Sequence, residues 1–237
     1  MFPHSLVEGY QHFMKNRFSV EFQHYEMLAD KGQKPSILLI GCADSRVSPS
    51  IIFNAGPGDI FVVRNVANLI PPYSETNRLY HGTSAALEYG VNILKVKHIV
   101  VLGHAACGGV HTFASRETLN QETGSFISTW LQLLEPAHKK IKDGDILQKQ
   151  NFNDYVRQLE FESIKNSIRN LKSFPFIQKR IAEEKLNVHG AFFSIATGEL
   201  SVFTSETNQF QLIERSTSTS FPTYFGCAEA ISPEEKS

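Results

Sequence analysis

The sequence predicts an α/β fold built on a mainly parallel sheet. Two short apolar runs, Ile37-Leu38-Leu39-Ile40 and His98-Ile99-Val100-Val101-Leu102, lead straight into glycine and polar residues, and helical spacing lies between them. A third strand pattern follows the Gly56-Pro57-Gly58 turn. Unbroken apolar runs suit strands covered on both faces, as parallel strands are. The chain has 237 residues, 41% of them hydrophobic, enough for one sizeable core, so a single domain over 1–237 is expected.

Taken in order, residues 5 to 28 carry Leu6, Tyr10, Phe13 and Met14 at helical spacing, which predicts an amphipathic helical arm within residues 1–30. A strand over 36–41, a short helix opened by Ser48-Pro49 and a strand over 59–64 follow, the β-α-β order of a parallel sheet. Residues 83–94 read as a helix capped by Thr83 that feeds the strand ending at His104, after which Gly108 opens another helix. Helices are expected at 125–134, 153–171 and 176–185, covering one face of the sheet. Residues 188–196 and 200–204, joined by Thr197-Gly198-Glu199, read as a hairpin that adds an antiparallel edge strand. The tail, 215–237, is expected to be irregular, and no repeat or linker is evident.

Charge and cysteine content narrow the function classes. Lys+Arg 23 against Asp+Glu 24 leaves a net charge of -1, so bulk electrostatics indicate neither a nucleic-acid nor a membrane partner, and a small substrate is expected. Three cysteines without small-domain spacing argue against a disulfide framework and for a reducing compartment. The start, Met1-Phe2-Pro3-His4-Ser5, reads as neither a secretory nor a transit leader, and no stretch is apolar enough for a transmembrane span. A cytoplasmic protein is therefore expected.

The chemistry concentrates in Gly41-Cys42-Ala43-Asp44-Ser45-Arg46 and Gly103-His104-Ala105-Ala106-Cys107-Gly108-Gly109. Both follow strands, and open parallel sheets bind ligands at the strands' carboxyl ends. Taken singly, Cys42 or Cys107 reads as a packed thiol, and Asp44-x-Arg46 as an ordinary exposed ion pair. Two thiols, an imidazole and a carboxylate converging at one sheet edge instead suit a zinc ion with one position open for chemistry.

The chain resembles the β-class carbonic anhydrases. The residues that carry the likeness are Cys42 to Arg46, Pro57-Gly58-Asp59, Val62 to Asn68, Gly82 to Tyr89, Gly103-His104 with Cys107-Gly108-Gly109, and His189-Gly190 with Ala196-Thr197-Gly198. The resemblance implies zinc held by Cys42, His104 and Cys107, and reversible hydration of carbon dioxide to bicarbonate by a zinc-bound hydroxide. It implies that Asp44 accepts a hydrogen bond from that hydroxide, while Arg46 grips the carboxylate and keeps it off the metal. For the substrate pocket it implies Gln33, Phe61 and Val66, with Tyr89 reaching in from a second subunit. Gly108 and Gly109 are read either as backbone donors beside the metal or as tight-packing glycines. The implied strand order is 2-1-3-4 with an antiparallel edge strand. The implied assembly is a homodimer or a dimer of dimers, with the N-terminal arm reaching over the neighbour.

Two thiolates and a neutral imidazole cancel the charge of Zn²⁺, so its water is expected to ionise less readily than in a three-histidine site, and activity to rise with pH. A second subgroup of the family closes its site with the aspartate; it carries Trp where this chain has Leu39 and often His where this chain has Val63. An accessible, water-ligated site is therefore expected here. Ala105 departs from the Ser or Thr usual after the metal histidine, which places the catalytic rate in question more than metal binding. His81, His98, His111 and His189 are unranked as proton carriers, and Cys227 reads as a free or packed thiol. The competing readings are a carbon disulfide or carbonyl sulfide hydrolase on the same scaffold, a noncatalytic structural zinc protein, and a nucleotide-binding module. The last lacks G-x-G-x-x-G spacing and a Walker lysine.

Overall fold

The computed structural model describes residues 1–75, 81–115, 125–144 and 151–214. Its strands are β1 (Ile37–Cys42), β2 (Ile60–Asn65), β3 (His98–His104), β4 (Asn187–Phe193), β5 (Leu200–Thr204) and β6 (Gln209–Leu212). They form one sheet in the order β2-β1-β3-β4-β5-β6. The first four are parallel, with Cys42 opposite Asn65 and Gly41 opposite Leu102, so β1, β2 and β3 end together. β5 and β6 are antiparallel additions. The expected order 2-1-3-4 and the antiparallel hairpin are both present. The sixth strand was not expected: Gln209-Phe210-Gln211-Leu212 is short and half polar, and it is turned back by Asn208 at φ 55°.

The helices are α1 (His4–Phe13), α2 (Ser19–Lys31), α3 (Pro49–Ile52), α4 (Gly82–Glu88), α5 (Gly108–Ala114), α6 (Ser125–Leu131), α7 (Glu135–Asp143), α8 (Phe152–Leu171) and α9 (Pro175–Ala182). α8 carries the face-covering role the sequence predicts. Its Ile164, Ile168 and Leu171 pack with Leu38, Ile40, Ile99 and Val101 in the larger apolar cluster. Close approach is possible because position 103 is glycine: a Cβ there would lie 2.5 Å from Ile164 Cδ1.

Three local expectations are corrected. α4 is capped by His81, whose Nδ1 accepts from the Ser84 amide (3.4 Å) and Ser84 Oγ (2.9 Å); Thr83 sits inside the helix, its Oγ1 accepting from Asn65 Nδ2. That helix passes into a π-turn over Tyr89–Ile93 rather than running on as α-helix. The arm likewise has a π-turn, Met14–Phe18, between α1 and α2. The predicted tail and Cys227 lie outside the described residues.

The arm and the second sheet face share a property. No residue of α1 or α2 is buried; Leu6, Tyr10 and Val20 are 57%, 61% and 81% exposed. The face carrying Ile37, Leu39, Val100 and Val202 has an apolar groove of about 410 Å³, with His98 and His189 among its lining residues. Among the described residues, no helix is long and apolar enough to cross a membrane.

Candidate metal centre

Parallel register brings Cys42, at the end of β1, beside His104, at the end of β3, and Cys107 follows one short turn later. All three are buried, and their ligand atoms lie within 4.8 Å of one another. The two sulfurs are 4.0 Å apart, far outside disulfide length and close to the roughly 3.8 Å that two ~2.3 Å zinc–sulfur bonds at a tetrahedral angle require.

The imidazole is oriented for the same task. His104 Nδ1 lies 2.9 Å from the Ala105 carbonyl, which can only accept, so Nδ1 carries the proton. Nε2 is then a lone pair, buried and without a protein partner among the described residues. Buried polar atoms are rarely left so, and a metal bound between His104 and the two sulfurs would satisfy this one. The orienting bond comes from backbone, while the Ala105 side chain packs in the larger apolar cluster, so the missing hydroxyl does not leave the ring unsupported.

The titration behaviour follows from proximity. The hydrogen bond from the Cys107 thiol lowers the Cys42 pKa against its burial penalty. The same bond, added to burial and the Cys42 charge, raises Cys107. As neighbouring thiols only one ionises readily; a divalent cation stabilises both thiolates.

Asp44 stands at the rim. Its Oδ1 accepts from Arg46 Nε and from the Arg46 amide, both at 2.9 Å, and its Oδ2 accepts from Arg46 Nη2 at 2.6 Å. That grip holds the carboxyl well below its usual range. Arg46 Nη2 also donates to the Ala106 carbonyl (3.1 Å), tying the two motif loops together. Both oxygens of Asp44 are thus engaged away from the sulfur–nitrogen cluster.

Supporting residues that the sequence reading missed surround this core. Glu160 is buried on α8, and its Oε1 accepts from the Cys107 amide at 3.0 Å. Burial raises its pKa against the pull of that amide and Arg157. One signal for it was present: Glu160 lies on the stripe Val156, Leu159, Ser163, Ile164 and Ile168, where a charge has no reason to be unless it has a partner. Trp130 Nε1 donates to the Val66 carbonyl at 2.8 Å. Ala67, Asn68 and Ala106 have φ of 62°, 48° and 54°, a left-handed cluster beside the site. Asn65 supports the first two: its Oδ1 accepts from the Leu69 amide and its Nδ2 donates to the Leu69 carbonyl, each 2.9 Å.

The candidate pocket residues divide into two groups. Val66 follows β2 directly and would touch a Cβ built on Gly109 at 2.8 Å, so Gly109 is the tight-packing glycine. Gly108 is exposed, and among the described residues nothing lies within 4 Å of a Cβ built there. Phe61, by contrast, pairs with Leu38, four residues before the Cys42–Asn65 level, or about 13 Å down the strand. Tyr89 packs on Phe61 with ring centroids 5.8 Å apart, and Gln33 lies exposed just before β1. Within one chain these three belong to the opposite end of the sheet. The four unranked histidines also have placements: His81 caps α4, His98 and His189 pair at 3.1 Å, and His111 is exposed against Phe152.

Comparison with known proteins agrees with the geometry. Residues 37–200 match the family model described as Carbonic anhydrase. The chain is 37% identical over 199 residues to Beta carbonic anhydrase 3 of Arabidopsis thaliana, covering 84% of this chain and 75% of that protein. It is also 37% identical to the chloroplastic Beta carbonic anhydrase 5 of the same plant, over 77% of this chain and 58% of that one. The solved structure of the β-carbonic anhydrase CcaA superposes with TM-score 0.81 at 32% identity, covering 89% of this chain and 92% of the other. A tetrameric β-carbonic anhydrase of Sordaria macrospora superposes with TM-score 0.71 at 33% identity, covering 84% and 95%. The chain belongs to the β-carbonic anhydrase family.

Proposed function

We propose that this chain catalyses the reversible hydration of carbon dioxide to bicarbonate and a proton, with zinc held by Cys42, His104 and Cys107. The observation that carries the reading is the trio itself: two sulfurs at zinc-compatible spacing and a buried imidazole nitrogen without a partner among the described residues, at the edge where α/β sheets bind ligands. Zinc in that setting would supply a Lewis acid that eases proton loss from water, though less than a three-histidine site does.

The chain's own residues supply the rest. Asp44, ionised through its pairing with Arg46, has acceptor capacity to orient the attacking oxygen toward the substrate carbon. Arg46 keeps that carboxylate turned from the ligand cluster, leaving one coordination position for chemistry. Val66 and Gly108 border the opening. Gln33, Phe61 and Tyr89 reach it from a second copy of the chain, because the strand length separates them from their own Cys42. The exposed arm, 1–30, is the segment that joins the copies.

Stopped-flow hydration of carbon dioxide, run with zinc analysis on wild type and Cys107→Ser, tests this. Wild type is expected to hold one zinc per chain and turn over faster as pH rises; Cys107→Ser is expected to lose most zinc and more than about 100-fold in rate. Wild-type protein with stoichiometric zinc that releases sulfide from carbon disulfide, yet leaves carbon dioxide unhydrated, would contradict the proposal.

A further inference from the structure

Arg64 lies on β2 opposite Gly41, outside the two segments that carry the ligand cluster. Its Nε donates to the Cys42 carbonyl at 2.9 Å and its Nη2 donates to the Asp44 carbonyl at 2.6 Å. The fork thus spans alternate carbonyls at the point where the chain leaves the strand. Two backbone bonds act beside it: the Ala43 amide donates to the Asn65 carbonyl at 2.9 Å, and the Val47 amide donates to the Asp44 carbonyl at 3.2 Å. The Asp44 amide in turn points at Cys42 Sγ, 3.5 Å away.

These bonds divide the work between two arginines. Arg46 holds the Asp44 carboxylate; Arg64 holds the backbone from which both that carboxylate and the Cys42 sulfur project. A guanidinium can do this because its donors sit in a rigid plane, whereas a lysine ammonium is a single point. Arg64 is itself exposed, so its role is not that of a core residue.

We propose that Arg64 is a positioning residue: its two-pronged hold on the Cys42 and Asp44 carbonyls sets the relation between the metal sulfur and the Asp44 carboxylate. It thereby governs turnover and metal retention without touching metal or substrate. The proposal rests on the zinc carbonic anhydrase reading above.

The test compares zinc-loaded wild type, Arg64→Lys and Arg64→Gln for kcat, KM and the rate of zinc release to a chromophoric chelator. Arg64→Gln is expected to lose roughly tenfold or more in kcat, with KM little changed, and to release zinc faster by a similar factor. Arg64→Lys keeps the charge but not the fork and is expected to fall between the two in both readouts. Lys and Gln variants that match wild type in kcat and zinc release overturn the proposal, and so does a Lys variant alone that matches wild type. If Arg64→Gln does not fold, the Lys variant decides. A wild-type chain without zinc or turnover overturns this proposal together with the proposed function, whereas a normal wild type with unaffected variants overturns this proposal alone.

Discussion

At the carboxyl ends of β1 and β3, the chain completes its own structure. The Cys107 amide meets Glu160, the Asp44 carboxylate meets Arg46, and the Val66 carbonyl meets Trp130. At the amino ends of the same strands, Gln33 and Tyr89 stand exposed, and an arm of two helices buries none of its residues. Paired polar groups at one end and exposed side chains at the other suit a candidate metal centre that forms within one chain. Under the proposed function, a second chain completes the substrate pocket. On that proposal, the difference separates two kinds of residue the family resemblance implies together: those that act where they are folded, and those that act on a neighbour.

The sharpest break of this comparison is subunit complementation. Tyr89→Ala and Cys107→Ser proteins, each impaired alone, are unfolded together and reassembled. In a mixed dimer one site has an intact cysteine and the partner's intact tyrosine, so activity is expected to recover toward about one quarter of wild type. No recovery, with mixed dimers demonstrated by mass spectrometry, would place Tyr89 outside the partner's site.

A smaller effect tests the closed end. Arg46→Lys is expected to retain zinc and lose about tenfold in rate, because a point charge cannot hold both carboxylate oxygens. The pH dependence has a definite sign. Asp44 titrates below its ordinary value of about 3.9, so its ion pair adds stability above that pH and loses it as pH falls through the lower folded value. Asp44→Asn is therefore expected to be less stable than wild type at pH 7, by denaturant titration, with the gap narrowing below pH 4. A gap that widens on acidification contradicts the pairing.

The smallest expected effect concerns the scaffold alone. Gly103→Ala drives a methyl into Ile164, with 2.5 Å and 2.7 Å contacts, and is expected to cost about 1–3 kcal/mol of stability by denaturant titration. Zinc content per folded chain is expected to remain normal. An unchanged midpoint would mean α8 shifts freely over β3.

The sheet and the ligand trio were legible because their signals are local: apolar runs ending in glycine, followed at once by the reactive side chains. Glu160 and Trp130 were harder to see, since each acts through a backbone group more than 50 positions away in sequence. Thr83 looked like a cap by residue type, yet the imidazole of His81, two residues earlier, reached the free amide. The π-turn at Tyr89–Ile93 breaks a pattern that periodicity reads as continuous helix. β6 escaped because an edge strand with one exposed side needs little apolar content.

The measurement that addresses the central claim most directly is zinc K-edge X-ray absorption on purified protein at neutral and at alkaline pH. The account predicts two sulfurs near 2.3 Å, one imidazole nitrogen near 2.0 Å and one light atom from solvent, a shell unaltered by Asp44→Asn. A shell that loses its oxygen ligand in Asp44→Asn, or one with fewer than two sulfurs, would contradict it.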